Sequence, residues 1–139
     1  VLAAANAEKA SQIVMLRRLD ANGQSWKEYV IPYPERAGSA KAVVVGDIDG
    51  NGTKDIVFSC ENAKAPKSGV MWLSRRKGVF EGDWQAHDIS GHKGIKYDRM
   101  ELLDLDADGD LDVLACEEQE NGKGLGVFWY ENPYAAKNR

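Results

Sequence analysis

Apolar residues along this chain come in short bursts rather than at helical spacing. Val43-Val44-Val45, Ile56-Val57-Phe58, Val70-Met71-Trp72-Leu73 and Val127-Phe128-Trp129-Tyr130 are typical, and Gly, Asn, Asp or Pro residues bound them. The bursts are β-branched or aromatic, the composition that suits a pleated, half-buried surface. No stretch holds a helical hydrophobic period over about 11 residues. The pattern predicts short strands, best defined at 41–47, 55–61, 69–76 and 84–90. Residues 1–5 carry helix-favouring alanines, but the internal alignment below assigns them to a strand.

The bursts repeat. Val43-Val44-Val45-Gly46-Asp47-Ile48-Asp49-Gly50-Asn51-Gly52-Thr53-Lys54-Asp55-Ile56-Val57-Phe58 recurs 57 residues later as Met100-Glu101-Leu102-Leu103-Asp104-Leu105-Asp106-Ala107-Asp108-Gly109-Asp110-Leu111-Asp112-Val113-Leu114-Ala115. Gly69-Val70-Met71-Trp72-Leu73 matches Gly126-Val127-Phe128-Trp129-Tyr130 at the same offset. A partial third copy opens the chain: Val1-Leu2-Ala3 aligns with Ile56-Val57-Phe58, and Trp26 to Ile31 with Trp84 to Ile89. This alignment places an aspartate just before Val1, so the start is expected to be a processed or truncated end. Four strands in a repeat of about 55 residues is the pattern of a β-propeller blade. The expected fold is therefore all-β, with two to three four-stranded antiparallel blades. Residues 1–35 form a partial first blade (strands 2–4), 36–92 a complete second, 93–134 a third (strands 1–3) and 135–139 a tail. Incomplete terminal blades leave open edges that invite pairing with another chain.

Composition narrows the function classes. The net charge is −4 over 139 residues, which argues against nucleic acid as a partner. No run approaches the roughly 18 apolar residues of a membrane span. Much of the acidity lies in the two repeated Asp clusters, where divalent cations would neutralise it. Oxygen side chains stand at positions 1, 3, 5 and 9 of each loop, as Asp47, Asp49, Asn51 and Asp55 and again as Asp104, Asp106, Asp108 and Asp112. Glycine at position 6 supplies the left-handed backbone of a tight turn, and Thr53 and Asp110 at position 7 would offer their carbonyls. Five or six hard oxygens at flexible spacing suit Ca²⁺ better than Mg²⁺, and without Cys or His they suit zinc poorly. An EF-hand needs Glu at position 12 and flanking helices; here that position is Phe58 or Ala115.

The two Asp loops with the strand-like residues around them resemble the FG-GAP/VCBS repeat family of integrin-type propellers, over nearly the whole chain. The resemblance implies that each loop joins the first two strands of its blade, with calcium bracing the hairpin. It also implies an extracellular or cell-surface protein that serves as an adhesion, assembly, or glycan- or protein-binding scaffold. Its partners would be a protein or a glycan, including copies of itself or other blades of the same parent. The alternative is the propeller part of a secreted carbohydrate-active enzyme, such as a polysaccharide lyase or sugar dehydratase.

Other residues carry weaker chemistry. His92, Lys96, Tyr97, Asp98 and Arg99 gather in one segment that would serve as a ligand loop or, in the enzymatic alternative, face the acidic stretch Glu117, Glu118 and Glu120 across a cleft. No catalytic residue is assigned. Trp26, Trp72, Trp84 and Trp129 offer flat faces for sugars, but their equivalent positions in the repeats predict core packing. His87, which aligns with Tyr29, is expected to pack as well. Cys60 and Cys116 fall one step out of phase in their repeats, so opposite faces and two small buried hydrophobes are expected rather than a disulfide.

Overall fold

The computed structural model describes residues 2–7, 10–119 and 122–134, with side chains from residue 11 onward. Val1, Glu120 and the predicted tail 135–139 lie outside the described residues. Ten strands follow in chain order: β1 Leu2–Ala7, β2 Ala10–Arg18, β3 Trp26–Ile31, β4 Ser39–Gly46, β5 Asp55–Glu61, β6 Val70–Arg75, β7 Trp84–Asp88, β8 Tyr97–Leu103, β9 Asp112–Glu117 and β10 Gly126–Tyr130. The protein is all-β. The alanine-rich start is a strand, because pairing with β2 outweighs helix propensity.

The strands form three antiparallel sheets: β1-β2-β3, β4-β5-β6-β7 and β8-β9-β10. Each is a simple meander, and none closes into a barrel. In the middle sheet the expected strands shift by a residue or two at their ends. β4 begins early, at Ser39, through a bulge between Ala40 and Val43. β7 stops at Asp88, because the amides of Ile89 and Ser90 both turn onto the Val70 carbonyl, at 3.0 and 3.2 Å.

The sheets pack face to face in chain order, β4 against β1 and β2, and β8 against β4 and β5. The period-two alternation of β5 explains how two cores share one strand. Ile56, Phe58 and Cys60 point into a first core with Ile13, Met15, Ile31, Met71 and Leu73. Val57 points the other way, into a second core with Val70, Tyr97, Met100, Val113 and Ala115. A strand buried on both faces reads as an unbroken apolar run, as 56–58 does. Ser59, fully buried among them, is satisfied: its hydroxyl donates to the Asp98 carbonyl at 2.9 Å and accepts from the Ala42 amide at 3.2 Å.

Candidate metal centres and the adjoining cleft

Each Asp loop joins the first two strands of its sheet, 47–54 between β4 and β5 and 104–111 between β8 and β9. The two share one frame of backbone-to-carboxylate bonds. Asp47 accepts from the amides of Asn51 and Gly52, at 3.1 and 2.9 Å; Asp104 accepts from those of Asp108 and Gly109, both at 3.1 Å. Asp49 accepts from Asn51 at 3.3 Å, and Asp106 from Asp108 at 3.2 Å. Asn51 accepts from the Thr53 amide and hydroxyl, and Asp108 from the Asp110 amide. The position-9 carboxylate closes each turn: Asp55 Oδ2 accepts from Ile48 N at 2.9 Å, and Asp112 Oδ2 from Leu105 N at 3.0 Å. Backbone amides thus hold the carboxylates on the inner side of the loop, as the alternating spacing predicts.

Gly52 and Gly109 adopt the expected left-handed conformation, with φ of +81° and +99°. Position 4 does so too, as Gly50 at 63° and Ala107 at 63°. The sequence reading passed over this second demand, because Ala107 conceals it.

One oxygen each from Asp47, Asp49 and Asp55 lies within 4.8 Å of the others, and Asp104, Asp106 and Asp108 form a second such group. Neither group includes a Cys or His. Asp55 is fully buried, and its Oδ1 has no hydrogen-bond partner. Among the described residues no lysine or arginine forms an ion pair with Asp47, Asp49 or Asp55. Burial holds the Asp55 carboxyl above the ordinary aspartate range, against the Ile48 and Asp49 amides, and the charges of Asp49 and Asp47 push the same way as burial. A fully buried carboxylate with one unbonded oxygen, grouped with two more carboxylates, is costly alone and fits a hard cation. Asp112 differs from Asp55, since its Oδ1 accepts from the Asn132 amide at 2.8 Å.

Asn132, which the sequence reading missed, links the two loops. Its side-chain amide donates to the carbonyls of Ile48, at 2.8 Å, and Leu111, at 3.2 Å, while its backbone amide holds Asp112. Two residues on, the Tyr134 ring lies where a Cβ on Gly50 would stand, within 2.3 Å, so a side chain there would displace that ring. Position 132 lies 84 residues from Ile48, too far for local spacing to reveal the contact. This C-terminal segment borders a cleft of about 580 Å³ between the second and third sheets.

The predicted ligand loop does not gather its side chains at one point. Tyr97 is fully buried; its hydroxyl donates to the Lys93 carbonyl at 2.7 Å and lies 3.0 Å from that of Tyr130. Lys96 pairs with Glu118 and lies 4.0 Å from Asp98, which also pairs with Lys41 at 3.1 Å. Arg99 pairs with Glu101, and His92 Nδ1 is 3.4 Å from the Lys67 carbonyl. Residues 95–96 do meet Glu117 and Glu118, but as a closed joint. Glu117 is buried and accepts from the amides of Ile95, Lys96 and Leu125 and from Gln119 Nε2. Burial alone would raise its carboxyl; these donors outweigh it and hold it below the ordinary glutamate range.

The tryptophans depart from the packing expectation. Trp72 and Trp84 are partly buried against the cores, but Trp26 is 42% exposed and Trp129 53%. The reason lies in the sheets. β7 covers the outer edge of β6, and His87 stacks on Trp72 with 4.1 Å between ring centroids. Among the described residues the third sheet ends at β10, and no strand there covers Trp129. His87 packs as expected. Both cysteines are free thiols, Cys60 buried in the first core and Cys116 half-buried outside both cores.

No family model, curated protein or solved structure matches the chain.

Proposed function

We propose that this protein is a calcium-braced scaffold built of β-propeller blades of the FG-GAP/VCBS type, working outside the cell in adhesion or assembly. The observation that carries the reading is the fully buried Asp55 carboxylate, its Oδ1 without a hydrogen-bond partner, grouped with Asp47 and Asp49. Asp47, Asp49, Asn51 and Asp55, with the Thr53 carbonyl, would hold one ion; Asp104, Asp106, Asp108 and Asp112, with the Asp110 carbonyl, would hold the other. The ions would supply structural charge neutralisation, stiffening the hairpins that start the second and third sheets. Face-to-face stacking of four-stranded and three-stranded meanders in chain order supports the blade reading. Millimolar calcium outside cells suits such weak loops.

The open edges suit a scaffold. Among the described residues β10 has no neighbour on its outer side, and Val127 and Trp129 in it and Leu125 just before it are 76%, 53% and 47% exposed. Such an edge can add a strand from another copy or another blade of the same parent, or meet a protein or glycan partner. No helix of the described chain is long and apolar enough to cross a membrane.

Thermal unfolding in calcium and in EGTA tests the metal reading. A hundredfold excess of calcium over Kd adds about 2.7 kcal/mol, so the melting temperature is expected to rise by about 5–10 °C. Asp55→Asn keeps an acceptor for the Ile48 amide while removing the charge, and is expected to abolish about half of that rise, because the second loop keeps its ion. A melting curve indifferent to EGTA would sink the reading.

A further inference from the structure

We propose that two copies of this chain stack head to tail, the outer face of the third sheet of each packing on the outer face of the first sheet of the other, to close a ring of six sheets. This gives the assembly part of the proposed scaffold a partner; it rests on that reading for the blade-like stacking of the sheets and not for the ions. Phe128 and Tyr130 turn from β10 into the second core, toward the second sheet, so Val127 and Trp129 turn the opposite way. They share this outer face with Leu114, which pairs with Trp129 across the ladder, and with the 45%-exposed Leu103. The 57-residue repeat shows what the face corresponds to. Val127, Trp129 and Leu114 stand where the second sheet has Val70, Trp72 and Val57. Those three pack into the second core against the third sheet, and Val57 and Val70 are fully buried. The third sheet thus repeats, uncovered, a surface that the second sheet buries.

The complementary surface lies at the other end of the molecule. Ile13, Met15, Tyr29 and Ile31 face the second sheet from β2 and β3, so Val14, Trp26 and Val30 face outward, and Val30 is 57% exposed. Val14 and Trp26 stand where the second sheet has Met71 and Trp84, which it packs against the first sheet. One open face therefore repeats what each sheet offers to the next, and the other repeats what each offers to the one before. A second copy supplies the match for both. Among the described residues no sheet covers either face. Charge does not oppose the contact, since the strands carry Arg99 and Glu101 on one face and Arg18 and Glu28 on the other. Arg99 and Glu101 replace Ala42 and Val44 of β4, but they pair with each other at 2.6 Å, and the first sheet has no described strand in the place of β4 to meet them. The number of copies follows from the number of sheets. Rings of blades typically hold about four to eight, and a contact of unlike faces must close into a ring or run on as a filament. One copy supplies three sheets, two supply six, and a third overshoots the range.

The test is sedimentation velocity on the intact chain at about 50 μM, in calcium and in EGTA. The expected species has twice the 15.3 kDa mass of one chain. Val127→Glu and Val30→Glu each place a charge in the contact and are expected to weaken the dimer at least about tenfold. Their circular dichroism should match the parent's, because both side chains are exposed in the single chain. Val30→Glu keeps the third-sheet face intact and Val127→Glu the first-sheet face, so mixing the two restores one contact. Mixed pairs are expected at about 500 μM, where neither variant pairs alone. The proposal is overturned by a monomeric parent, by a filament, by a dimer that tolerates either substitution, or by a mixture that pairs no better than its components. Tolerance of Val30→Glu alone would point to contact between two third sheets or to strand addition at β10. A dimer whose melting temperature is indifferent to EGTA supports the stacking and sinks the metal reading. A calcium-dependent melting temperature in a monomer sinks the stacking alone.

Discussion

Ala107 holds a φ of 63°, a conformation in which its Cβ crowds the following carbonyl. Gly50 fills the matching place in the first loop without that crowding. The left-handed backbone costs a residue with a Cβ about 1 kcal/mol, so Ala107→Gly is expected to stabilise the protein by about 0.5–1 kcal/mol in urea unfolding. A destabilised variant would mean that the Cβ packs usefully. Elsewhere at this scale the loops were largely legible in the sequence. Alternating Asp and Asn with glycine at position 6 dictates which side chains turn inward, because each carboxylate can reach only amides a few residues away. The difference between Asp55 and Asp112 was not legible, since a residue 20 positions away supplies the amide that holds Asp112.

At the scale of elements, two polar residues act as joints between strands and loops. Asn132 spans the third sheet and the first Asp loop through Ile48 and Leu111. Replacing it with alanine strips two carbonyls of their donor, at a cost of about 1–3 kcal/mol, and the lower melting temperature is expected in EGTA as well as in calcium. A variant that melts like the parent in EGTA would show that water replaces the bonds at no cost. Glu117 joins β9 to the segments 95–96 and 125. Its folded carboxyl is held below the ordinary value, so it stabilises the fold above the unfolded pKa. That stability is lost as the pH falls from about 4.3 through the lower folded value. Glu117→Gln turns an amide donor toward amide donors and is expected to cost about 1.5–3 kcal/mol at pH 7. The gap from the parent should narrow in urea titrations below pH 4.3 or so; a gap independent of pH would show that charge plays no part.

Over the whole molecule, β5 is the strand on which both cores depend. Phe58 is fully buried in the first core, while its neighbour Val57 is fully buried in the second. Phe58→Ala is expected to cost about 3–5 kcal/mol, and both cores should unfold in one transition because they share a strand. Denaturant curves followed by fluorescence and by circular dichroism should coincide; two separated midpoints would show the cores to be independent.

The sequence by itself determined the strand order, the inward turn of the Asp-loop carboxylates and the three-four-three strand count, because each depends on residues close along the chain and on a period of two. Only the tertiary structure decided which aromatics stay exposed, where the cleft opens and how Asn132 spans two loops. It also consigned Tyr97 to the core rather than to a ligand loop. These outcomes depend on which sheet face meets another, and such contacts join residues whose spacing carries no local signal.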